Sequence, residues 1–255
     1  MHNWSAVLRR TQAGGWLAWL AWTVVAGVLL AHGRLNRLDE AFQTNCRIVH
    51  RLLSQTAAQH DAVLNTLAQL QPGAVGGDTP QARLPALFPQ LIAVRRRGPE
   101  QTWPEAALES AEVASRALRR AVLTEVDLPH GRFALVRAGL PASYALTIDL
   151  AALAPGTDWP MDARTSPVRI TLEHGGAQYV VQAGARDAGA GSGWPLTFRK
   201  VLGSDSQTFE VVARQHVGWS DLPWLAMLAW SALGALAWLG LVSWRRQRAA
   251  RRRAE

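Results

Sequence analysis

An α+β domain held between two transmembrane helices is the fold class predicted, and three observations carry it. Two runs without a charged residue, 13–31 (AGGWLAWLAWTVVAGVLLA) and 222–244 (LPWLAMLAWSALGALAWLGLVSW), lie near the ends of the 255-residue chain. Between them, residues 34–71 hold neither Gly nor Pro and have the period of one long helix. Beyond that helix, short apolar segments alternate with Gly- and Pro-containing turns at hairpin spacing, as antiparallel strands do.

Each uncharged run is long enough, at about 1.5 Å per residue, to cross a hydrocarbon layer of about 30 Å. Eight of the twelve Trp residues fall in or beside these runs, with Trp16, Trp224 and Trp244 near the ends, where an indole keeps its N–H wet. Gly234, Ala235 and Ala237 offer a smooth helix face for close approach. A cleaved signal peptide is the competing reading of the first run. The run is longer than an ordinary signal core, and helix-forming sequence continues directly beyond it, so an uncleaved anchor is expected.

The net charge of +8 then changes meaning. Eight bases and one acid lie outside 33–222, a net of +7; nineteen bases and eighteen acids lie inside it, a net of +1. Basicity flanking apolar runs is a topology signal and not a nucleic-acid footprint. The positive-inside rule puts both termini in the cytoplasm and the middle outside a bacterial inner membrane. The arginine-rich tail is also suited to anionic lipid. The expected organisation is a cytoplasmic tail (1–12), a first membrane helix (13–32), a periplasmic domain (33–221), a second membrane helix (222–244) and a basic cytoplasmic helix start (245–255). With Cys46 the only cysteine, no intramolecular disulfide supports the domain, which must be stable through its core.

The helix over 34–71 extends the first membrane helix outward by about 57 Å. Leu35, Leu38, Phe42, Cys46, Val49, Leu52, Leu53, Val63, Leu64, Leu67 and Leu70 form its stripe, interrupted by Asn45, Thr56, Gln59 and Thr66. Such a stripe covers its own domain, pairs with its copy in a homodimer, or does both. His50 and His60 lie on this helix without acidic or Cys partners at ligand spacing and read as solvated residues rather than metal ligands.

A loop follows at 72–80 (PGAVGGDTP), then 84–89 leads into a strand at 90–97. Thr102 is a possible cap, with Pro104 in the first turn, for a helix reaching about Ala121. Strands 123–128 and 132–138 flank the turn Pro129-His130-Gly131; strand 144–150 ends in a helical turn to 154; strands 168–173 and 177–182 flank His174-Gly175-Gly176. After a loop at 188–193 (AGAGSG), strands 195–202 and 208–217 complete one sheet flanked by helices; the α/β part spans 84–217.

Chemistry-bearing motifs are scarce. No GxGxxG, GxxxxGK[ST], HExxH, CxxC or GxSxG occurs, and nothing indicates a catalytic residue, a metal site or a cofactor. Asp158 and Asp162 straddle Trp159-Pro160 and read as a solvated loop. In the run Arg95-Arg96-Arg97, either Arg96 or the pair Arg95 and Arg97 faces inward; an exposed charged strand end is the plainer reading, and an anion site the sharper one.

Two membrane helices, an outward helical extension and the strand-plus-turn YALTIDL at 144–150 resemble the input half of bacterial two-component sensor histidine kinases, most closely the extracellular PAS-like sensor regions of the Cache and CHASE group. The resemblance is carried by 42–70 (FQTNCRIVHRLLSQTAAQHDAVLNTLAQL), 84–94, 144–159 and 206–224 (SQTFEVVARQHVGWSDLPW) and covers most of residues 15–250. It implies a PAS-like domain that detects a small ligand or a periplasmic condition and passes the signal through the second membrane helix to a cytoplasmic kinase core, with a response regulator beyond it. A kinase core is absent from this chain, which is then a sensor module, truncated or naturally lacking its output, with no phosphotransfer of its own. For a small anion, the resemblance nominates Tyr144 and Asp149, and Arg96, Arg132 and Lys200 join them as basic strand neighbours. A two-span scaffold whose periplasmic domain binds another protein is the alternative, and a membrane-tethered enzyme is disfavoured by the missing catalytic constellation.

Overall fold

The structure, a computed structural model, describes residues 4–69, 80–153, 158–185 and 193–251. The expected loop over 72–79, the helix end at 70–71, Ala154, most of the loop at 188–193 and the chain ends lie outside the described residues. In chain order the elements are α1 (Trp4–Gln69), α2 (Pro80–Leu87), β1 (Leu91–Arg97), α3 (Ala106–Leu118), β2 (Val122–Asp127), β3 (Arg132–Arg137), β4 (Ser143–Asp149), β5 (Arg169–His174), β6 (Ala177–Gln182), β7 (Gly193–Val201), β8 (Glu210–Gly218) and α4 (Trp224–Arg251). Short 3₁₀ turns follow β4 (Leu150–Ala152) and β8 (Trp219–Asp221). Two compact units result: Met1–Ala41 with Gly218–Glu255, and Phe42–Val217.

The first unit contains the two helix stretches that are long and apolar enough to cross a membrane. Almost none of the residues in these apolar windows is buried by protein. Where the two touch, glycine permits it. A Cβ on Gly15 would overlap the Trp238 ring, and one on Gly234 would meet Trp22 at 3.0 Å. Trp19 Nε1 donates to Ser231 O at 3.1 Å, so the indole N–H has a partner on the facing helix. Arg248 stacks on Trp244 at 3.8 Å in the basic last turns of α4, which continue the helix as far as Arg251.

The second unit is built on the C-terminal part of α1. Phe42, Cys46, Val49, Leu53, Ala57, His60, Leu64 and Leu67 are all buried, at steps of three and four that keep them on one side of the helix. Burial pushes the Cys46 thiol up to about 12, so it stays protonated at neutral pH. Two four-stranded sheets meet this stripe, in the orders β1-β4-β3-β2 and β6-β5-β8-β7. Along β3 the alternation is clear: Phe133 and Leu135 join the core shared with α1 and the second sheet, whereas Ala134 and Val136 pack with Trp103, Leu108 and Ala111 beneath α3. Phe133 meets Phe209 edge to face at 4.9 Å, so both sheets contribute to one core.

Several expectations change. One sheet becomes two, because β1 pairs with β4 and β5 with β8 across long sequence separations that local alternation does not encode. α3 starts later and ends earlier than expected: extended Glu105 is its N-cap residue in place of Thr102, and Arg119 closes it in a left-handed conformation at φ 55°. Residues 80–87 are helical despite Pro85. The first apolar run and the 34–69 stripe form one helix as expected, but it begins at Trp4, within the expected N-terminal tail.

Candidate functional site

α3 carries Leu108, Ala111, Glu112 and Ser115 on its buried face, at positions i, i+3, i+4 and i+7. A carboxylate in that position requires partners, and Glu112 has five contacts from four residues. Arg97 Nη1 reaches both oxygens at 2.7 Å, Arg116 Nη2 donates at 2.6 Å, Trp103 Nε1 at 2.6 Å and Ser143 Oγ at 2.8 Å. Burial alone raises the Glu112 carboxyl, but the Ser143 and Trp103 bonds and the Arg97 charge outweigh it and hold the group below the ordinary carboxylate range. Arg95 pairs with Glu105 at 2.8 Å and Glu125 at 3.1 Å. The exposed strand end expected for Arg95–Arg97 is therefore two ion-pair clusters on the α3 side, with Arg96 alone exposed.

Beside Glu112 opens a cleft of about 680 Å³ between the C-terminal end of α3 and the β3–β4 connection. Arg97, Arg116, Arg119 and Arg137 line it with a single carboxylate, Glu112. Arg119 and Arg137 also line a second cleft of about 520 Å³, whose other wall includes Asp61, Asn65 and Gln69 of α1 and the segment from Gly203 to Ser206. Neither of these two arginines has a carboxylate partner among the described residues, and Arg137 Nε is buried without a hydrogen bond. The β3–β4 connection presses close to α1 here: a Cβ on Gly139 would lie 3.0 Å from both Cβ and O of Ala68. The arrangement can hold negative charge in a net-positive, partly desolvated cleft.

The β7–β8 connection is tied to α1 by polar contacts. Ser204 Oγ donates to Asp61 Oδ2 at 2.8 Å, Ser206 Oγ donates to Asp61 Oδ1, Gly203 N donates to Ser54 Oγ at 3.0 Å, and Gln207 Nε2 donates to Ala57 O at 2.9 Å. His60 sits inside this seam. It is 2 % exposed and neither ring nitrogen has a hydrogen-bond partner, so the expectation of a solvated histidine is overturned. Burial lowers its pKa to about 4, against weaker opposing pulls from Gln207 and the Asp61 carboxylate. His50 takes a different role, with Nε2 2.7 Å from Val201 O.

The five residues nominated from sequence do not converge. Arg96 and Tyr144 are register partners across β1 and β4, Arg132 and Asp149 across β3 and β4, and Lys200 lies on β7 in the other sheet. Tyr144 is a core residue at 2 % exposure, Asp149 accepts from Ala151 N at 2.9 Å, and the three basic side chains are exposed. The arginine clefts are lined by other residues. Asp158 and Asp162 lie in an exposed turn, where Asp162 accepts from Arg164 N at 2.9 Å. No group of three or more His, Cys, Asp or Glu side chains suited to a metal occurs among the described residues. Sequence reasoning misses Arg119, Arg137 and Glu112; only Glu112 carries a signal, its place on the buried face of α3. No protein-family model and no curated protein matches the chain.

Proposed function

We propose that the chain is the membrane-anchored input module of a two-component sensing system, a PAS-like domain of the Cache or CHASE kind on two spans. In this reading it sits in a bacterial inner membrane with both termini cytoplasmic and residues 33–221 periplasmic. It acts as a homodimer, detects a small ligand or a periplasmic condition, and passes that state to a cytoplasmic kinase core. The observation that supports this most is α1: a single helix of 66 residues supplies an apolar span at one end and the buried stripe of the folded unit at the other. A ligand that prefers one packing of that unit biases the helix by its differential affinity for the two states.

The full chain fused in frame to a cytoplasmic histidine kinase core tests this in cells. Kinase output is expected to change with a periplasmic stimulus. Ala41→Pro, which breaks the helix interior at a cost of about 3 kcal/mol, is expected to abolish the response while leaving membrane insertion intact. Constant output under all stimuli, with the Ala41→Pro fusion indistinguishable from the parent, favours a two-span scaffold instead.

A further inference from the structure

We infer that the arginine cleft binds a small multivalent anion, a phosphate or polycarboxylate, held by Arg119 and Arg137. This names the ligand class for the sensing reading above, and its consequence for α1 rests on that reading. Charge is the first argument. Glu112, the single carboxylate of the cleft, is engaged by Arg97 and Arg116, and two guanidinium groups remain without an acidic partner among the described residues. A planar guanidinium offers paired donors whose spacing matches the oxygens of carboxylate and phosphate, so these two groups are built for oxyanions rather than halides.

Geometry is the second argument. Arg137 closes β3 and lines both clefts, and its Nε is buried with no acceptor, so this guanidinium reaches the cleft wall without its full set of hydrogen bonds. Arg119 holds a left-handed backbone at φ 55°, where a long side chain is uncommon; it ends α3 and borders both clefts. Two carboxylates, Asp61 and Asp205, border the second cleft against three arginines, Arg119, Arg120 and Arg137, which leaves it net positive. Asp61 accepts from the hydroxyls of Ser204 and Ser206, and Asp205 joins Asp61 on the rim of the second cleft with Arg120 close by, its Nη1 2.5 Å from Asp205 O.

The third argument is position. The two arginines are shared with the cleft whose wall is formed by Asn65 and Gln69, in the last turns of α1. The residues that would hold the anion therefore border the end of α1 as well as ending α3 and β3. An anion bound there acts on the helix that carries the membrane span.

Isothermal titration of the full chain in maltoside micelles, which carry no phosphate, tests the site. Inorganic phosphate and citrate are titrated at constant ionic strength and pH 7.5, with chloride as control. Saturable binding of phosphate or citrate at one site per chain is expected, with a thermal midpoint that rises with anion concentration. Arg137→Gln and Arg119→Asn are each expected to weaken binding by about tenfold or more. Arg119→Asn is the safeguard against misfolding, since that position is exposed and Asn tolerates positive φ. Arg164→Gln, on an exposed turn, is expected to bind as the parent does. A non-saturating response equal to that of chloride overturns the inference, as does undiminished binding by Arg119→Asn. Saturable binding without any response in the kinase fusion overturns the sensing reading and leaves the anion site standing. A fusion that responds while neither anion binds does the reverse.

Discussion

Glu112→Ala is expected to destabilise the folded unit by about 3–5 kcal/mol, the cost of removing one partner from a buried charge network. Three groups are stranded together. Arg97, whose side chain is 18 % exposed, loses its shortest ion pair and keeps Glu109 at 3.9 Å as its one acidic partner, with Nε still donating to Gln101 O. The Trp103 N–H and the Ser143 hydroxyl lose their acceptor inside a closed contact. The network binds β1, the segment before α3, α3 itself and β4, so its loss loosens one whole face of the first sheet. At about 2–4 °C per kcal/mol for a unit of this size, the thermal midpoint of the full chain in detergent falls by about 10 °C. Glu112→Gln, which keeps an acceptor oxygen but no charge, is expected to fall between the variant and the parent. A shift under about 2 °C for the alanine variant would show that the network contributes little.

The second large effect is a loss of stability in acid. The folded unit holds His60 with a pKa lowered to about 4, whereas the unfolded chain titrates it near the ordinary 6.5. A depressed histidine favours folding only while it is neutral. Its contribution is complete above the unfolded value, falls as pH drops below about 6.5, and is exhausted near pH 4. Linkage puts the loss across that window on the order of 3 kcal/mol. Glu112, also held below its ordinary range, acts in a lower window: its contribution is present above the unfolded carboxylate value and is lost as pH falls through its folded one. His60→Leu removes a buried ring with two unpartnered nitrogens, so it is expected to match or exceed parental stability at pH 7 and to flatten the stability profile between pH 6.5 and 4. Melting midpoints collected across that range decide it. A variant whose profile parallels the parent's would show that His60 is not the titrating group.

These two residues also mark how far the amino-acid pattern reveals the fold. The stripe of α1 is visible in its spacing, but the large apolar residues leave a gap between Leu53 and Val63. Steps of four and three across that gap land on Ala57 and His60, both buried. Position is a better guide there than polarity. The same rule locates Glu112, which shares its helix face with Leu108 and Ala111. The strands and both hairpin turns are legible from alternation and from Gly131, Gly175 and Gly176, all at positive φ. Sheet membership is not, because it rests on pairings such as Arg97 with Ser143 and Arg169 with Arg214. The arginine cleft is hidden for the same reason: Arg119 ends a helix, Arg137 ends a strand, and only packing makes them neighbours.

The central proposal is that α1 carries the state of the folded unit to the two apolar helix stretches. Spin labels placed by Gly33→Cys and Gln247→Cys, one on each long helix, measure it in the full chain, with buried Cys46 left unmodified. The account predicts that saturating citrate, its occupancy verified by titration in the same sample, shifts the label-to-label distance distribution, and that Arg137→Gln abolishes the shift at the same concentration. Identical distributions with and without bound citrate would contradict it.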